Sequence, residues 1–593
     1  MTETGIKAPW KDHLGELPFH LEYFQGSMYE AVKETADKYP DLPAYAFFGT
    51  KTTYNAMMTR IAACARSFKM MGIRQGDRVT IALPNCPQAI MVFYALNCIG
   101  AVANVVHPLS AEKELEEYVN ISRSRMVVTL DQFYDKFAAI RDDTGLETIV
   151  LTSIRDEMNP AALAGYMVTE GRKLPRIRRD APVIWWREFQ KLGRRCRWQW
   201  ETPAGPADTA VIIYSGGTTG TTKGVKLTNF NFSAHAAHIV GVNQMFAPGD
   251  RMLAALPIFH GFGLGVCIHS MLANGGCSIL MPRFTAESYS KLLVKTKCNF
   301  IAGVPTLFEA MTRTDVLGKA DLSFLKGAFS GGDSLSIELK SKIDKFLADH
   351  GSPIYIREGY GATETIAAIC LTPPDKQKTG SIGLPFPDTY IRIVDPESGR
   401  EMPFGETGEI LICGPTVMRG YVNNKEETEK VLEKDADGNI WCHTGDLGYM
   451  DSEGFVFFKG RIKRMIVSSG YNIYPAQMEN MLNGSRYVRS SCVIGVPDPY
   501  RMQKIKAFVV LNDGFEPGEE TWLHIMAYCK KNVARYAMPY DIEFRDELPL
   551  TKLGKIDYRA LEEEEMAKIA EQEEQAKLAA QEEQANEPES GRS

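Results

Sequence analysis

Residues 214–224 have the sequence Tyr-Ser-Gly-Gly-Thr-Thr-Gly-Thr-Thr-Lys-Gly, a composition suited to holding phosphate. The segment before them, 209–214, is apolar and β-branched, which predicts a buried strand. A strand that runs into a Gly/Ser/Thr loop presents backbone N–H groups and hydroxyls to phosphate oxygens, and Lys223 adds a point charge. The run lacks the Gly-Lys-Ser/Thr spacing of a Walker A motif. It therefore predicts a phosphate-binding loop of another kind.

A second motif, Arg357-Glu-Gly-Tyr-Gly-Ala-Thr-Glu364, follows a short strand-like segment at 353–356. The glycines on either side of Tyr360 let the backbone lie close to a planar ligand. Thr363 and Glu364 supply a hydroxyl and a carboxylate, the oxygen ligands that Mg²⁺ takes beside phosphates. The motif predicts part of a nucleotide site.

Three more segments each contain one residue that could take part in binding or catalysis. In 441–448, Asp446 follows a glycine turn and is suited to ribose hydroxyls. In 256–265, His260 stands among apolar and small residues that leave room for an apolar ligand. In 548–557, Lys555 lies at the end of a Pro/Thr/Gly turn. Each also has a structural explanation: a turn aspartate, a core histidine and a solvated lysine.

The elements that must position these residues alternate between strand and helix. The alternation runs from Gly26 to about Leu130 and resumes after the loop as far as Thr372, which predicts βαβ units around parallel sheets. Helical periodicity covers 28–38, 88–99 and 111–122, and strand patterns cover 78–83, 101–106 and 126–130. The predicted fold class is therefore α/β.

The rest of the sequence divides into three segments that differ in composition. Short strands with close glycines and prolines at 381–458 predict a small β-rich subdomain within an N-terminal domain of residues 1–460. Residues 461–561 are predicted to form a compact α+β module, and the basic segment 459–475 is predicted to join it to the N-terminal domain. The acidic Glu/Gln/Ala-rich tail, 562–593, is predicted to be a lone exposed helix or disordered.

Composition excludes several classes of protein. A chain of 593 residues is too long for one core. The net charge of -7 argues against nucleic-acid binding. Twelve cysteines without a Cys-x-x-Cys pair argue against zinc and a disulfide framework, and with the absence of a secretory signal they favour a cytoplasmic protein.

Two uncharged stretches and one basic segment bear on membrane contact. The stretches 79–111 and 252–282 contain prolines, asparagines or glycines, so we interpret them as strand–turn–helix–strand passages rather than spans. The basic segment 172–179, which precedes two tryptophans, is predicted to be a solvent-exposed surface segment. Peripheral membrane contact is the alternative.

Together, the phosphate loop, the segment 459–475 and the four other motifs resemble the acyl-adenylate-forming superfamily of AMP-dependent synthetases and ligases, over about 29–561. The segments 303–311 and 329–335 look most like bacterial fatty-acyl-CoA ligases. The resemblance implies that Mg·ATP activates a carboxylic acid, a medium- or long-chain fatty acid, as acyl-AMP with release of pyrophosphate. The small, mobile C-terminal domain then rotates and the thiol of CoA displaces AMP.

The resemblance also implies residue roles. For the nucleotide, Thr218, Thr219 and Lys223 would hold the β- and γ-phosphates, Thr363 the α-phosphate and Glu364 the Mg²⁺, with Tyr360, Gly361, Gly332 and Asp333 at adenine and Asp446 and Arg461 at ribose. For the other substrates, Lys555 would bridge carboxylate and α-phosphate, His260 would orient the acid, Gly263, Gly303 and Ala362 would line the acyl pocket, Lys463 would be the hinge and Gly470 would line the CoA tunnel.

The sequence departs from the family pattern at four positions, and several alternative functions remain. Gly217 and Thr222 replace a usual serine and proline, Gln477 a usual glutamate and Asp333 a small apolar residue. An aryl-acid CoA ligase or a ligase that loads an acyl carrier protein has the same motifs. So does a luciferase-type oxygenase, and a nucleotide-binding protein without catalysis is the alternative from another class.

Overall fold

The computed structural model describes residues 7–169, 171, 175, 177, 178, 180–202, 204–216, 222–468, 471–498, 500–551 and 554–585. These residues form two compact units. The first takes the described residues up to 335, together with 339–444 and 448–458. The second takes 336–338, 445–447 and the described residues from 459 onward. The main boundary, after Phe458, lies two residues before the predicted one.

The helices and strands are numbered in chain order. The helices are α1 (Met28–Lys38), α2 (Tyr54–Met70), α3 (Pro87–Cys98), α4 (Glu112–Ser122), α5 (Tyr134–Ala139), α6 (Pro160–Thr169), α7 (Trp186–Gly193), α8 (Asn229–Gly241), α9 (Ser270–Leu272), α10 (Ala286–Thr296), α11 (Pro305–Thr312), α12 (Ile337–Asp349), α13 (Lys425–Val431), α14 (Pro475–Asn483), α15 (Glu519–Asn532) and α16 (Tyr558–Ala585). The strands are β1 (Pro43–Phe47), β2 (Thr50–Thr53), β3 (Arg78–Ala82), β4 (Val102–Val105), β5 (Met126–Leu130), β6 (Thr148–Thr152), β7 (Val183–Trp185), β8 (Thr209–Gly216), β9 (Thr222–Thr228), β10 (Arg251–Ala254), β11 (Cys277–Leu280), β12 (Phe300–Gly303), β13 (Gly327–Ser330), β14 (Ile356–Gly361), β15 (Ala368–Leu371), β16 (Leu384–Pro385), β17 (Tyr390–Val394), β18 (Gly408–Cys413), β19 (Gly420–Tyr421), β20 (Leu432–Lys434), β21 (Ile440–Met450), β22 (Val456–Arg461), β23 (Ile466–Ser468), β24 (Tyr471–Ile473), β25 (Val488–Asp498), β26 (Met502–Leu511) and β27 (Asp541–Phe544).

The first sheet has the strand order β19-β9-β8-β4-β3-β5-β6-β7. Strands β3 to β8 pair in parallel, as the alternation of strand and helix predicts, whereas β9 folds back antiparallel on β8. Helix α3 is buried along its whole length, because it packs within the largest hydrophobic core of the unit. The phosphate-loop motif therefore joins a central strand to a returning one.

The second sheet has the order β16-β15-β14-β13-β12-β10-β11-β1-β2, and β10 to β14 pair in parallel. A smaller sheet, β17-β18-β21-β20 with β22 beside β21, forms most of the predicted β-rich subdomain. Strand β19 leaves that region and pairs with β9 at the edge of the first sheet. The α/β fold class is confirmed, with one β-rich strand beside the phosphate-loop hairpin.

The second unit is built on the sheet β24-β23-β26-β25, with β27 parallel to β26. Lys506 on β26 is buried, and its amine binds the carboxylates of Glu565 (2.6 Å) and Glu543 (2.8 Å). Glu565 lies on α16, so the first turns of the predicted tail pack on this sheet. The expectation of a lone helix or a disordered tail from 562 was therefore wrong for these turns, because Ile569 packs against a hydrophobic cluster of the domain and Glu565 pairs with the buried lysine.

The two long uncharged stretches fold as expected. Residues 79–111 contain most of β3, α3 and β4, and residues 252–282 contain β10, a π-helix at Phe262–His269, α9 and β11. Within the described residues, none of the helices has the length and apolar character needed to cross a bilayer.

Candidate active site

The two ends of the phosphate-loop motif lie on the paired strands β8 and β9. Ser215 pairs with Lys223 across the hairpin, and Gly216 pairs with Thr222. Thr218, Thr219 and Gly217 lie outside the described residues. The hydroxyl of Thr222 donates to Glu117 of α4 at 2.8 Å. The hairpin thus fixes both ends of the predicted loop.

The second motif begins on strand β14 and ends beside the β8–β9 hairpin, where Glu364 contacts Ser215. Tyr360 and Gly361 end the strand, and a 3-10 turn at Thr363–Thr365 follows. A β-carbon at position 361 would lie 1.5 Å from the carbonyl oxygen of Ala367. Backbone packing therefore requires this glycine, independently of any ligand.

The turn that carries Glu364 is closed by a strained residue. Ile366 has φ 72° and ψ -65°, and the N–H of Ala367 donates to the carbonyl of Thr365 at 2.9 Å. These values define a γ-turn of the rare, strained form. Ile366 is fully buried, and a β-carbon on Gly261 would lie 1.6 Å from its carbonyl oxygen. The backbone around Gly261 thus packs directly against the turn and holds it in place.

The carboxylate of Glu364 accepts two side-chain hydrogen bonds within the described residues. Ser215 Oγ donates to Oε1 at 3.1 Å and Tyr421 Oη donates to the same oxygen at 2.9 Å. The N–H of Met418 donates to the backbone carbonyl of Glu364 at 2.8 Å. Burial and the nearby Glu364 charge raise the pKa of the Tyr421 phenol, so it remains a donor. Three distant segments therefore meet at this carboxylate.

Lys223 lies beside this cluster on β9. Its ammonium binds Glu427 Oε2 at 2.5 Å and stands 5.1 Å from the centre of the Tyr421 ring. Hydrogen bonds from Lys223 and Lys430 lower the pKa of Glu427 to about 2, so its carboxylate is charged at neutral pH. The predicted phosphate lysine and the predicted metal carboxylate thus share Tyr421 as a neighbour.

The ends of β13 and β14 hold the residues predicted at adenine. Ser330 pairs with Glu358 in the register of the two strands, and the N–H of Gly331 donates to the carbonyl of Gly303 at 3.1 Å. Gly332 has φ 83°, which favours glycine. The next residue, Asp333, accepts from the N–H of Ser334 at 2.9 Å.

Glu358 is a buried carboxyl in this region that the motif analysis did not single out. Its Oε1 accepts from the N–H of Leu335 at 3.3 Å, and burial raises its pKa to about 7. The ring of Tyr360, two residues on, lies 6.1 Å from that of Phe458. A carboxyl that titrates near neutrality beside the predicted adenine residues is a candidate functional group.

The residues predicted at the acid have packing roles in the structure. Nδ1 of His260 accepts from the N–H of Phe262 at 3.2 Å, just before the π-helix. A β-carbon on Gly263 would lie 2.1 Å from the carbonyl oxygen of Pro257, and one on Gly303 would lie 3.0 Å from Leu307. Ala362 precedes the 3-10 turn. Their roles in acid binding stay predictions.

The second unit holds the remaining predicted residues. Asp446 is 4% exposed and pairs with Nε of Arg461 at 3.3 Å. Lys463 is exposed in a 3-10 turn, Ile462–Arg464, and Gly470 lies outside the described residues. Asp446 and Arg461, predicted together at ribose, are therefore brought into contact.

Lys555 closes a turn of the second unit. Its N–H donates to Thr551 Oγ1 at 3.2 Å, and its carbonyl accepts from the N–H of Thr551 at 2.7 Å. Gly554 has φ 77°, the conformation that such a turn needs. Gln477 lies on α14. The turn fixes the backbone of Lys555.

Sequence reasoning missed three residues at the first unit's cluster: Ser215, Tyr421 and Glu427. Ser215 belongs to the loop motif, so its hydroxyl was a visible candidate. Tyr421 and Glu427 lie in an ordinary stretch of the β-rich region, and only the pairing of β19 with β9 brings them to the loop. No local signal marks them.

Comparisons with known proteins bear on the family of this chain. Residues 32–422 match the family model described as AMP-binding enzyme, and residues 477–555 match the AMP-binding enzyme C-terminal domain. A long-chain-fatty-acid–CoA ligase of Bacillus subtilis is 33% identical over 94% of this chain and 98% of its own. A feruloyl-CoA synthase of Amycolatopsis is 31% identical over 87% and 94%.

Solved structures show the same fold. ATP-bound MatB from Rhodopseudomonas palustris superposes with a TM-score of 0.78 at 25% identity, covering 91% of this chain and 99% of that one. The anthranilate CoA ligase AuaEII with anthranoyl-AMP gives a TM-score of 0.77 at 23% identity, covering 93% and 98%. The likeness to the second structure bears on the fold alone.

Proposed function

The chain belongs to the AMP-binding enzyme family and is an ATP-dependent acid–CoA ligase, and we propose that its acid is a medium- or long-chain fatty acid. The observation that carries the site is the convergence on Glu364 of Ser215, from the phosphate hairpin, and Tyr421, from the neighbouring strand. The fatty acid follows from the relatives: ligases of Bacillus subtilis and Yersinia pestis, named for long-chain fatty acids, are 33% and 32% identical over more than nine-tenths of the chain.

The residues of the first unit fit a metal-bound triphosphate. Both side-chain hydrogen bonds that Glu364 accepts within the described residues fall on Oε1, which leaves Oε2 for a cation. Mg²⁺ takes one or two carboxylates and completes its shell with phosphates and water, so a three-residue metal cluster is not required. When bound, Mg²⁺ would neutralise phosphate charge. We propose Glu364 as its protein ligand.

The other nucleotide roles are proposed from the family pattern. Lys223, with the hydroxyls of Thr218 and Thr219, would bind the β- and γ-phosphates, and Thr363 would contact the α-phosphate. Tyr360, Gly361, Gly332 and Asp333 would enclose adenine, while Asp446 and Arg461 would bind the ribose. Catalysis would then rest on positioning and on charge stabilisation of phosphoryl oxygens, with few acid–base groups.

The acid and CoA would use the remaining residues. His260 would orient the carboxylate for attack on the α-phosphate, and Lys555 would bridge the two groups in the first half-reaction. Gly263, Gly303 and Ala362 would border the acyl chain. Movement of the second unit about Lys463 would bring Gly470 to the pantetheine of CoA, whose thiol displaces AMP. These assignments are proposals carried from the family pattern.

Location and partners extend the proposal. The twelve cysteines are free, which agrees with a reducing cytoplasm. Peripheral membrane contact through the basic segment 172–179 would bring the enzyme to a lipid substrate. Most of that segment lies outside the described residues.

An aryl acid is the second candidate substrate, favoured by the feruloyl-CoA synthase relative. The test is pyrophosphate release from Mg·ATP against acids from acetate to palmitate, with benzoate, coumarate and a dicarboxylate, with and without CoA. We expect release with medium- or long-chain acids, accelerated by CoA. Release only with coumarate or benzoate would replace the proposed acid. Release that ignores CoA would point to a carrier-protein acceptor.

A further inference from the structure

Two contacts fix the direction of the Lys223 side chain. Its ammonium meets the carboxylate of Glu427 on one side and the ring of Tyr421 on another. The side chain is only 11% exposed. A lysine side chain in solvent has several rotatable bonds and loses their freedom when it binds a ligand. Here much of that freedom is already lost before a nucleotide arrives.

Glu427 is anchored to the same strands that carry Lys223. It lies in the first turn of α13, and its N–H donates to the capping side chain of Asn424 at 3.1 Å. The next residue, Thr428, accepts from the N–H of Tyr421 on β19 at 2.9 Å. Tyr421 pairs with Val225 of β9, two residues after the lysine. The carboxylate is therefore held in a fixed relation to β9.

The charges around Glu427 leave Lys223 able to bind an anion. Glu427 Oε1 accepts from Lys430 at 2.9 Å, while Oε2 meets Lys223. One carboxylate thus bridges two ammonium groups, and Lys430 also binds Glu426 at 2.8 Å, so the four charges sum to zero. An ammonium has three N–H donors, so Lys223 keeps donors for a phosphate while it holds Glu427. Lys430 offsets part of the repulsion that the Glu427 carboxylate would exert on ATP.

We infer that Glu427 is a positioning residue that orients Lys223 toward the phosphates of ATP. The inference rests on the proposed function, because Lys223 is taken to be a phosphate ligand. Glu427 acts through the lysine and does not touch the nucleotide. Its removal should weaken ATP binding without changing the chemistry of the bound complex.

Calorimetric titration of the full chain with Mg·ATP tests this, with kinetics of acid-dependent pyrophosphate release beside it. We expect Glu427→Ala to raise the Kd and KM for ATP about tenfold, with kcat changed by less than about threefold. Glu427→Gln keeps an oxygen that can accept from the lysine and should restore binding to within about threefold of the original chain.

Two controls separate positioning from general damage. Glu426→Ala removes a neighbouring carboxylate that binds Lys430 but not Lys223, and should leave ATP binding unchanged. In a Lys223→Ala background, Glu427→Ala should have no further effect, because the side chain through which it acts is gone.

Three outcomes would overturn the inference: unchanged ATP binding in Glu427→Ala, equal loss in both backgrounds, or normal binding in Lys223→Ala. The proposed function fails separately, if the original chain releases no pyrophosphate with any acid. The calorimetric result then still decides the role of Glu427, because it requires no turnover.

Discussion

At the scale of single residues, Tyr421 links the two proposed ligands of the first unit. It donates to Glu364 while its ring faces the Lys223 ammonium, so one side chain touches both the proposed metal ligand and the proposed phosphate ligand. Hydrogen bonds to charged groups contribute more than those between neutral groups. The position of the carboxylate should therefore depend on this phenol.

Tyr421→Phe tests that dependence. We expect kcat/KM for ATP to fall about tenfold, or ~1.4 kcal/mol, because Glu364 loses one of the two side-chain donors that it has among the described residues. The measurement is steady-state pyrophosphate release. Tyr289→Phe is the matched control, since the buried Tyr289 hydroxyl has no partner among the described residues. Equal activity of the two variants would contradict the orienting role.

The buried carboxyl of Glu358 predicts a pH effect on stability. Burial raises its pKa from 4.5 to about 7, so between these values the folded chain binds more protons than the unfolded chain. Stability from this group is fully present below pH 4.5 and is lost as pH rises through 7. By about 1.36 kcal/mol per pKa unit, the loss is on the order of 3 kcal/mol.

Urea unfolding at several values between pH 4.5 and 8 measures this. We expect Glu358→Gln to lack this loss, so that its stability relative to the original chain rises with pH. Parallel profiles for the two chains would show that the carboxyl does not titrate in this range.

At the scale of elements, the site depends on a strained turn held by a close backbone approach. The γ-turn at Ile366 follows Glu364 directly, and a β-carbon on Gly261 would lie 1.6 Å from the carbonyl oxygen of Ile366. A strained conformation of this kind persists only where its surroundings over-determine it. The π-helix that begins at Phe262 belongs to that surrounding structure.

Gly261→Ala should disrupt the γ-turn. The new β-carbon would lie 1.6 Å from the Ile366 carbonyl oxygen, so the backbone must shift. We therefore expect the free energy of unfolding to fall by roughly 2 kcal/mol or more and most of the activity to be lost. Thermal unfolding and pyrophosphate release measure the two effects. Gly145→Ala, at a glycine with open space around it, is the control. Unchanged activity in Gly261→Ala would show that the turn need not be held.

At the scale of the whole molecule, the proposed site residues are divided between two compact units. Lys223, Tyr360 and Glu364 belong to the first unit, whereas Asp446, Arg461 and Lys555 belong to the second. The proposal therefore assigns phosphate binding to residues of the first unit and the catalytic charge of Lys555 to the second.

Lys555→Ala tests this division. We expect acid-dependent pyrophosphate release to fall about a hundredfold or more, because a charge that acts on the transferring group is lost. ATP binding, measured by calorimetry, should change by less than about threefold. Lys530→Ala, on α15 of the same unit, is the control. Normal turnover in Lys555→Ala would remove Lys555 from the mechanism.

The sequence by itself determined the local elements. Helix α1 and strand β5 have the predicted limits, 28–38 and 126–130. Periodicity and caps set such limits within one element; for α1, Ser27 and Glu30 form a capping box. The hairpin strand β8 and the glycine and threonine motif after it were likewise visible in the sequence, because turn chemistry is local.

Only the tertiary structure decided which residues meet. Ser215 and Tyr421 lie 149 and 57 positions from the carboxylate they bind, and Lys223 lies 204 positions from Glu427. These contacts follow from the strand order of the first sheet, where β19 joins the edge beside β9. A periodic pattern shows which face of a strand is buried but not which strand lies next to it. Long-range pairing is fixed by the packing of the whole unit, and with it the partners of Glu364 and Lys223.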